Sequence, residues 1–373
     1  MEVWIRPSWY YLCPGESMPY PVPGSMWDRP LGEKLYAQYM TFARRLDELG
    51  FDGFIFTEHH YSPNGGLTPS PIVLLAAASQ VTERIKLVTM GLPLALYPHP
   101  VRVAEELAMV DNLSHGRLVV GVISGGAPNL YAYNIPASED RTRFREAYDL
   151  IVRAWEEETP FEWHGEHYEY PCVSILPRPL QQPHPRTWTV ASSAESLEWA
   201  AARHMGLIAS GPLNQAAETL NYYRDYCRGR RGWEPTSADL GLAREFFIAP
   251  TMEEARAMAE GLMESEGEAA FALVQRAPQL AELRREAAAS RTYGYRTRAS
   301  APTEGRRTTG AMSGGQFLAG DPDSITQEIL RQRETTGAGV LLIRPEMGGL
   351  SLEAAAEGLE LFAREVLPVV HKA

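Results

Sequence analysis

The triplet Glu58-His59-His60 stands at the end of a short apolar run, residues 53–57. An imidazole there can give or take a proton near neutral pH, and a neighbouring carboxylate can fix which ring nitrogen carries it. A pair of structural histidines would satisfy the same pattern. Consecutive residues of an extended segment point to opposite sides, so His59 and His60 are poorly placed to share one metal ion. The three cysteines, Cys13, Cys172 and Cys227, have no metal-binding spacing, and no metal is expected. Ser124-Gly125-Gly126 and Ser192-Ser193-Ala194-Glu195-Ser196 each follow a further apolar run. Hydroxyls and free N–H groups at a helix start suit a phosphate, and they are equally ordinary helix caps. Gly91-Leu92 marks either a close approach of backbone to ligand or a plain turn. Trp9, Tyr10, Tyr11, Met18, Tyr20 and Trp27, with Tyr131 and Tyr133, can wall an apolar pocket or pack on one another.

These residues sit between elements that alternate regularly. Strands are expected at 3–6, 53–57, 86–90, 118–123, 187–191, 207–209, 246–249 and 340–343, nearly all apolar. Helices follow them. Leu35, Tyr39, Phe42, Leu46 and Leu49 recur at spacings of three and four, as do Phe144, Tyr148, Ile151 and Trp155. Ser70-Pro71 and Asp321-Pro322 pair a cap residue with a proline at the first helical position, and His99-Pro100 opens another helix. Strands this apolar must be buried on both faces, which means a parallel sheet. Eight β–α alternations favour a closed (β/α)8 TIM barrel, whose chemistry lies at the C-terminal strand ends. An open dinucleotide-binding sheet lacks its glycine fingerprint, because Pro7-Ser8-Trp9 follows the first strand.

The whole chain, 1–373, reads as one domain with three excursions. Residues 9–30 form an aromatic loop at the barrel mouth, 160–186 an extended insertion, and 293–315 an Arg-, Thr- and Gly-rich segment expected to be a mobile lid. Hydrophobic residues make up 45% of the chain, enough for a large core. The net charge of −12 argues against nucleic acid or an anionic membrane as partner. No apolar run is long enough to span a bilayer, and the odd, scattered cysteines fit a reducing, cytoplasmic setting.

Taken in order, several segments resemble the bacterial luciferase-like family of flavin-dependent monooxygenases. They are 50–53 with Glu58-His59-His60, 67–71, 99–106, 111–118, 144–155, 190–193 with Glu198-Trp199-Ala200, and 320–322. The resemblance runs from about 31 to 199 and resumes near 317; residues 218–312 are unmatched. It implies a (β/α)8 barrel that binds reduced FMN, reacts it with O2 to a C4a-(hydro)peroxyflavin, and oxygenates a small organic substrate. His59 takes the position of the active-site histidine, held by Glu58 or another acceptor. Gly91 and Leu92 match a site that often carries a non-proline cis peptide under the flavin ring. Ser192, Ser193 and Ser196 match phosphate-contacting positions, and Arg141 matches an arginine near the flavin. Ser124 and Ile123 stand where the luciferase proper has an arginine and a reactive cysteine, so light emission is not implied. Trp9, Tyr10 and Tyr133 would line the substrate pocket. The resemblance also implies a separate flavin reductase, since no nicotinamide fingerprint is visible, and a homodimer built on helices 71–81 and 100–113. A deazaflavin-dependent hydride-transfer enzyme shares the barrel and related motifs. A non-catalytic flavin-binding partner subunit and a metal-dependent barrel hydrolase are further alternatives.

Overall fold

The computed structural model describes residues 1–7, 20–62, 67–263, 278–289, 315–345 and 352–373. Trp9, Tyr10, Tyr11 and Met18, together with residues 293–314 of the expected lid, lie outside the described residues. Eight parallel strands close into a barrel: β1 (Glu2–Ile5), β2 (Gly53–Phe56), β3 (Lys86–Pro93), β4 (Leu118–Ile123), β7 (Thr187–Val190), β8 (Gly206–Ala209), β9 (Leu240–Ile248) and β11 (Val340–Arg344). Val340 to Ile343 of β11 pair in register with Glu2 to Ile5 of β1, and Leu240 to Leu242 of β9 pair with Leu207 to Ala209 of β8.

Side chains divide by strand parity into two cores. Trp4, Ile55, Val88, Met90, Val119, Trp188, Ile208, Val340 and Leu342 fill the barrel lumen. Their neighbours in sequence, such as Val3, Ile5, Phe54, Phe56, Val120 and Ile343, face outward onto the helices. Trp4 and Trp188 meet edge to face across the lumen, with ring centroids 4.9 Å apart. Only glycine fits beside each ring. A Cβ on Gly53 would lie 2.5 Å from Trp4 Cδ1, and one on Gly206 would come closer still to Trp188.

The helices are started where the cap residues stand. Ser70 Oγ accepts the Val73 N–H at 3.4 Å ahead of α2 (Pro71–Ser79), and Asp321 Oδ1 accepts the Ser324 N–H at 2.9 Å ahead of the helix Pro322–Thr336. Such caps contribute about 1 kcal/mol each. The stripe Leu35, Tyr39, Phe42 and Leu46 of α1 (Arg29–Leu49) is buried against the sheet. In α2, Leu74, Leu75 and Ala78 are likewise spent on the chain's own core. The apolar side chains left exposed on α2 and α3 (Pro100–Leu113) include Val73, Met109 and Leu113.

Two elements differ from expectation. β9 begins at Leu240, six residues before 246, because Gly241, Arg244 and Glu245 interrupt the apolar pattern that marks the other strands. Its second half pairs with β10 (Phe317–Gly320), a ninth strand added beside the barrel rather than within the ring. The insertion at 160–186 contains an antiparallel hairpin of β5 (Phe161–His164) and β6 (Glu169–Val173). Glu146 of α5 (Asp140–Glu156) anchors it, accepting the backbone N–H groups of His167 at 2.9 Å and Tyr168 at 3.0 Å.

Candidate active site at the barrel mouth

Beyond the end of β2 the chain carries no regular structure through His60. Ile55 faces the lumen while Phe54 and Phe56 face the helices. The His59 ring lies near enough to Arg6, at the end of β1, to feel its charge. Glu58 and His60 bond to each other: Glu58 Oε1 accepts from His60 Nε2 at 2.9 Å. Glu58 Oε2 also accepts from the Tyr97 hydroxyl, and the Asn129 amide reaches the Glu58 carbonyl at 3.4 Å. Burial, and then the Glu58 charge, push the Tyr97 phenol well above its usual range. The Tyr133 ring packs on His60 with centroids 4.7 Å apart. Glu58 therefore holds His60, and the expectation that it would hold His59 is corrected. Neighbours in an extended chain face apart, whereas residues two apart face together.

His59 is half-buried and packed round by protein. Desolvation, assisted by the Arg6 and His60 charges, lowers its pKa to about 4, so the ring is neutral at pH 7. Arg6 follows Trp4 in parity and its N–H donates to Ile343 O at 3.0 Å, placing it beside Arg344 at the end of β11. Arg344 Nε lies 2.7 Å from Glu245 Oε2, its register partner on β9, as an ion pair not aligned as a hydrogen bond. A charged layer thus caps the apolar lumen.

On the adjoining part of the rim, β3 bulges between Thr89 and Leu92, and the Met90–Gly91 peptide is cis. A Cβ on Gly91 would lie 2.8 Å from Ile123 Cγ2. Leu92 is fully buried in the outer core, so of this pair only backbone and Gly91 can border a ligand. After β4, Ser124 is half-buried and the Gly125 N–H donates to Asp140 Oδ1 at 2.8 Å. Asp140 is buried, and desolvation raises its pKa to about 7 against the opposing pull of the Gly125 hydrogen bond and of Arg141.

After β7 comes α6 (Ala194–Ala201). Ser193 Oγ accepts the Ser196 N–H at 3.4 Å and lies 2.9 Å from Ser196 Oγ, while Ser192 is exposed. Facing this helix start, Arg141 Nη1 pairs with Glu195 Oε2, and Arg145 Nη2 lies 2.9 Å from Glu195 Oε1. Two guanidiniums meet a carboxylate that the chain itself supplies in the first turn of a helix whose N-terminus bears hydroxyls. That donor set fits a phosphate. No group of three or more His, Cys, Asp or Glu suited to a metal occurs among the described residues, and no described helix is long and apolar enough to cross a membrane.

Residues 13–339 match the model of the luciferase-like monooxygenase family. The chain belongs to that family. It is 26% identical over 239 residues to the oxygenase component of flavin-dependent trigonelline monooxygenase from Acinetobacter baylyi, covering 62% of this chain and 64% of that protein. The chain thus spans less than two thirds of the length of this relative. Over full length it superposes on monooxygenase RslO1 from Streptomyces bottropensis with a TM-score of 0.75 and 28% identity, covering 100% of both chains. The oxygenating constituent of 3,6-diketocamphane monooxygenase from Pseudomonas putida, in complex with FMN, shares the fold at a TM-score of 0.72 and 20% identity, covering 99% of this chain and 98% of that one.

In this luciferase-like monooxygenase, His59, Gly91 and Ser124 lie in or after β2, β3 and β4, and at the start of α6 Arg141 pairs with Glu195 and Ser193 with Ser196. Leu92 is withdrawn into the core, and Ser192 has no hydrogen bond to this cluster. Trp9 and Tyr10 fall outside the described residues. Arg6, Glu245, Arg344, Tyr97 and Arg145, which the structure places around these groups, were not singled out from the sequence. For Arg344 a signal exists: it closes an otherwise apolar strand. Arg145 lies four residues after Arg141 and so shares its helix face.

Proposed function

We propose that this luciferase-like monooxygenase takes reduced FMN from a separate flavin reductase and uses O2 to oxygenate a small organic substrate. The observation that supports it is the oxyanion-binding set of Arg141, Arg145, Ser193 and Ser196 on a barrel rim whose lumen side presents a neutral imidazole, His59. Bound reduced FMN supplies the two electrons with which one oxygen atom enters the substrate and the other leaves as water. The chain's own residues do the rest. Arg141 and Arg145 hold the phosphate by charge-assisted bonds, with the serine hydroxyls completing its hydrogen bonds. Gly91, whose missing side chain makes room for Ile123 of β4, borders the flavin ring through its backbone. His59, neutral across the physiological range, offers one ring nitrogen as proton acceptor and the other as donor beside the reacting face.

Glu58, His60 and Tyr97 act behind His59. Their bonds fasten the segment after β2, so that the imidazole is held in one place. Tyr133, packed on His60, borders the substrate side and helps exclude water, which would otherwise compete for activated oxygen. The protein works as a homodimer through α2 and α3, where Val73, Met109 and Leu113 remain exposed.

Anaerobic titration with reduced FMN, followed by rapid mixing with O2, tests the reading. Saturable binding and an oxygen-dependent absorbance transient are expected, and His59→Ala should shorten that transient at least tenfold while leaving flavin affinity within a few-fold. Tight deazaflavin binding without FMN binding would replace the proposal with hydride transfer. Binding without oxygen consumption, with any candidate substrate, would leave only a flavin-carrying role.

A further inference from the structure

Glu195 stands in the first turn of α6, where the helix dipole favours a negative charge. Its side chain is 58% exposed, but both oxygens are engaged, one by Arg141 and one by Arg145. The two arginine side chains are themselves only 14% and 28% exposed and are carried on one face of α5. Partial burial works against the Glu195 charge, yet the two arginines outweigh it and hold its carboxyl below the usual range. The N–H groups that Glu195 occupies are the ones a phosphate at this helix start would need. Because Glu195 is exposed and on a surface helix, its side chain can swing into water without disturbing the core.

We infer that Glu195 is an affinity-setting residue of the flavin site: its carboxylate competes with the flavin phosphate for Arg141 and Arg145, weakening FMN binding without touching the ring. This rests on the reading of the rim as an FMN site. The consequence suits a flavin that arrives reduced and must leave oxidised, because the seat is refilled internally each time the phosphate departs. The arginines are thereby kept paired and in place between turnovers. Specificity for a phosphorylated flavin and speed of exchange then come from the same three side chains.

Flavin-fluorescence titrations of the full-length protein with FMN and with riboflavin, which lacks the phosphate, test the inference in wild type, Glu195→Gln and Arg145→Gln. Loss of one or two partly exposed ion pairs that compete with the ligand corresponds to about a three- to tenfold change in affinity. Glu195→Gln should therefore bind FMN about three- to tenfold more tightly, with riboflavin affinity unchanged within twofold. Arg145→Gln should loosen FMN by a similar factor and again spare riboflavin. Unchanged or weaker FMN binding by Glu195→Gln would overturn the competition and make Glu195 a mere brace for the arginines. A parallel gain for riboflavin would overturn it too, since the effect would not pass through the phosphate. Failure of all three proteins to bind either flavin would instead remove the FMN site itself, and the inference with it.

Discussion

At the scale of single residues, two buried titratable groups pull the pH dependence of stability in opposite directions. His59 falls from 6.5 to about 4 on folding, so the unfolded chain binds the extra proton between those values. Its contribution is present above pH 6.5 and is lost as pH falls toward 4. Asp140 rises from 3.8 to about 7, so its contribution is present below pH 4 and is lost as pH climbs to 7. Each is worth on the order of 3 kcal/mol over its window, and they largely offset one another between pH 4 and 6.5. Asp140→Asn keeps the acceptor for the Gly125 N–H and removes only the titration. Relative to wild type, its melting temperature should climb steadily from pH 4 to 7 and level off above. A constant difference across that range would show that Asp140 is ionised throughout.

At the scale of elements, the barrel depends on strands that are bare where a tryptophan crosses the lumen. Trp188 covers Gly206 on β8 as Trp4 covers Gly53 on β2, and the two rings touch. A methyl at position 206 forces the indole off its rotamer in a packed interior, which typically costs 1–3 kcal/mol. Gly206→Ala should lower stability by about that amount in chemical denaturation. Since the displaced ring lies beneath the charged layer of Arg6, Glu245 and Arg344, it should also loosen flavin binding. No loss of stability would mean that the lumen has room the packing does not show. The same elements explain what could be read from sequence and what could not. The α1 stripe, the Ser70-Pro71 start and seven of the strands announce themselves by local pattern. The first six residues of β9 hide because Arg244 is among them: its guanidinium is buried, bonded to Gln332 Oε1 at 2.5 Å and Gly211 O at 3.2 Å. A charge whose side-chain partner lies 88 residues away reads locally as a loop.

At the scale of the whole molecule, the helices expected at a subunit boundary are only partly free for it. The run Leu74 to Ala78 reads as a contiguous apolar surface, yet three of its five side chains close the chain's own core. What remains for a partner is Val73 on α2 with Met109 and Leu113 on α3. A two-fold contact that covers them doubles the mass in solution. Light scattering at micromolar concentration should therefore report about 83 kDa, roughly twice the chain's 41.5 kDa. Val73→Glu with Met109→Glu should convert the protein to monomer without loss of fold. A monomeric wild type would show that these side chains are simply exposed, as single apolar residues on monomers commonly are.

From the chain alone came the closed barrel, the order of its elements and the histidine at the end of its second strand, because burial on both strand faces and the periodicity of amphipathic helices are written in local residue type. Tertiary structure alone decided which carboxylate serves which base. Glu58 adjoins His59 in sequence and turns away from it in space, while Glu195 and Arg141, 54 residues apart, meet across two elements. Hydrophobic pattern is a property of one segment read by itself, but an ion pair or a hydrogen bond depends on where two segments are carried by everything packed between them.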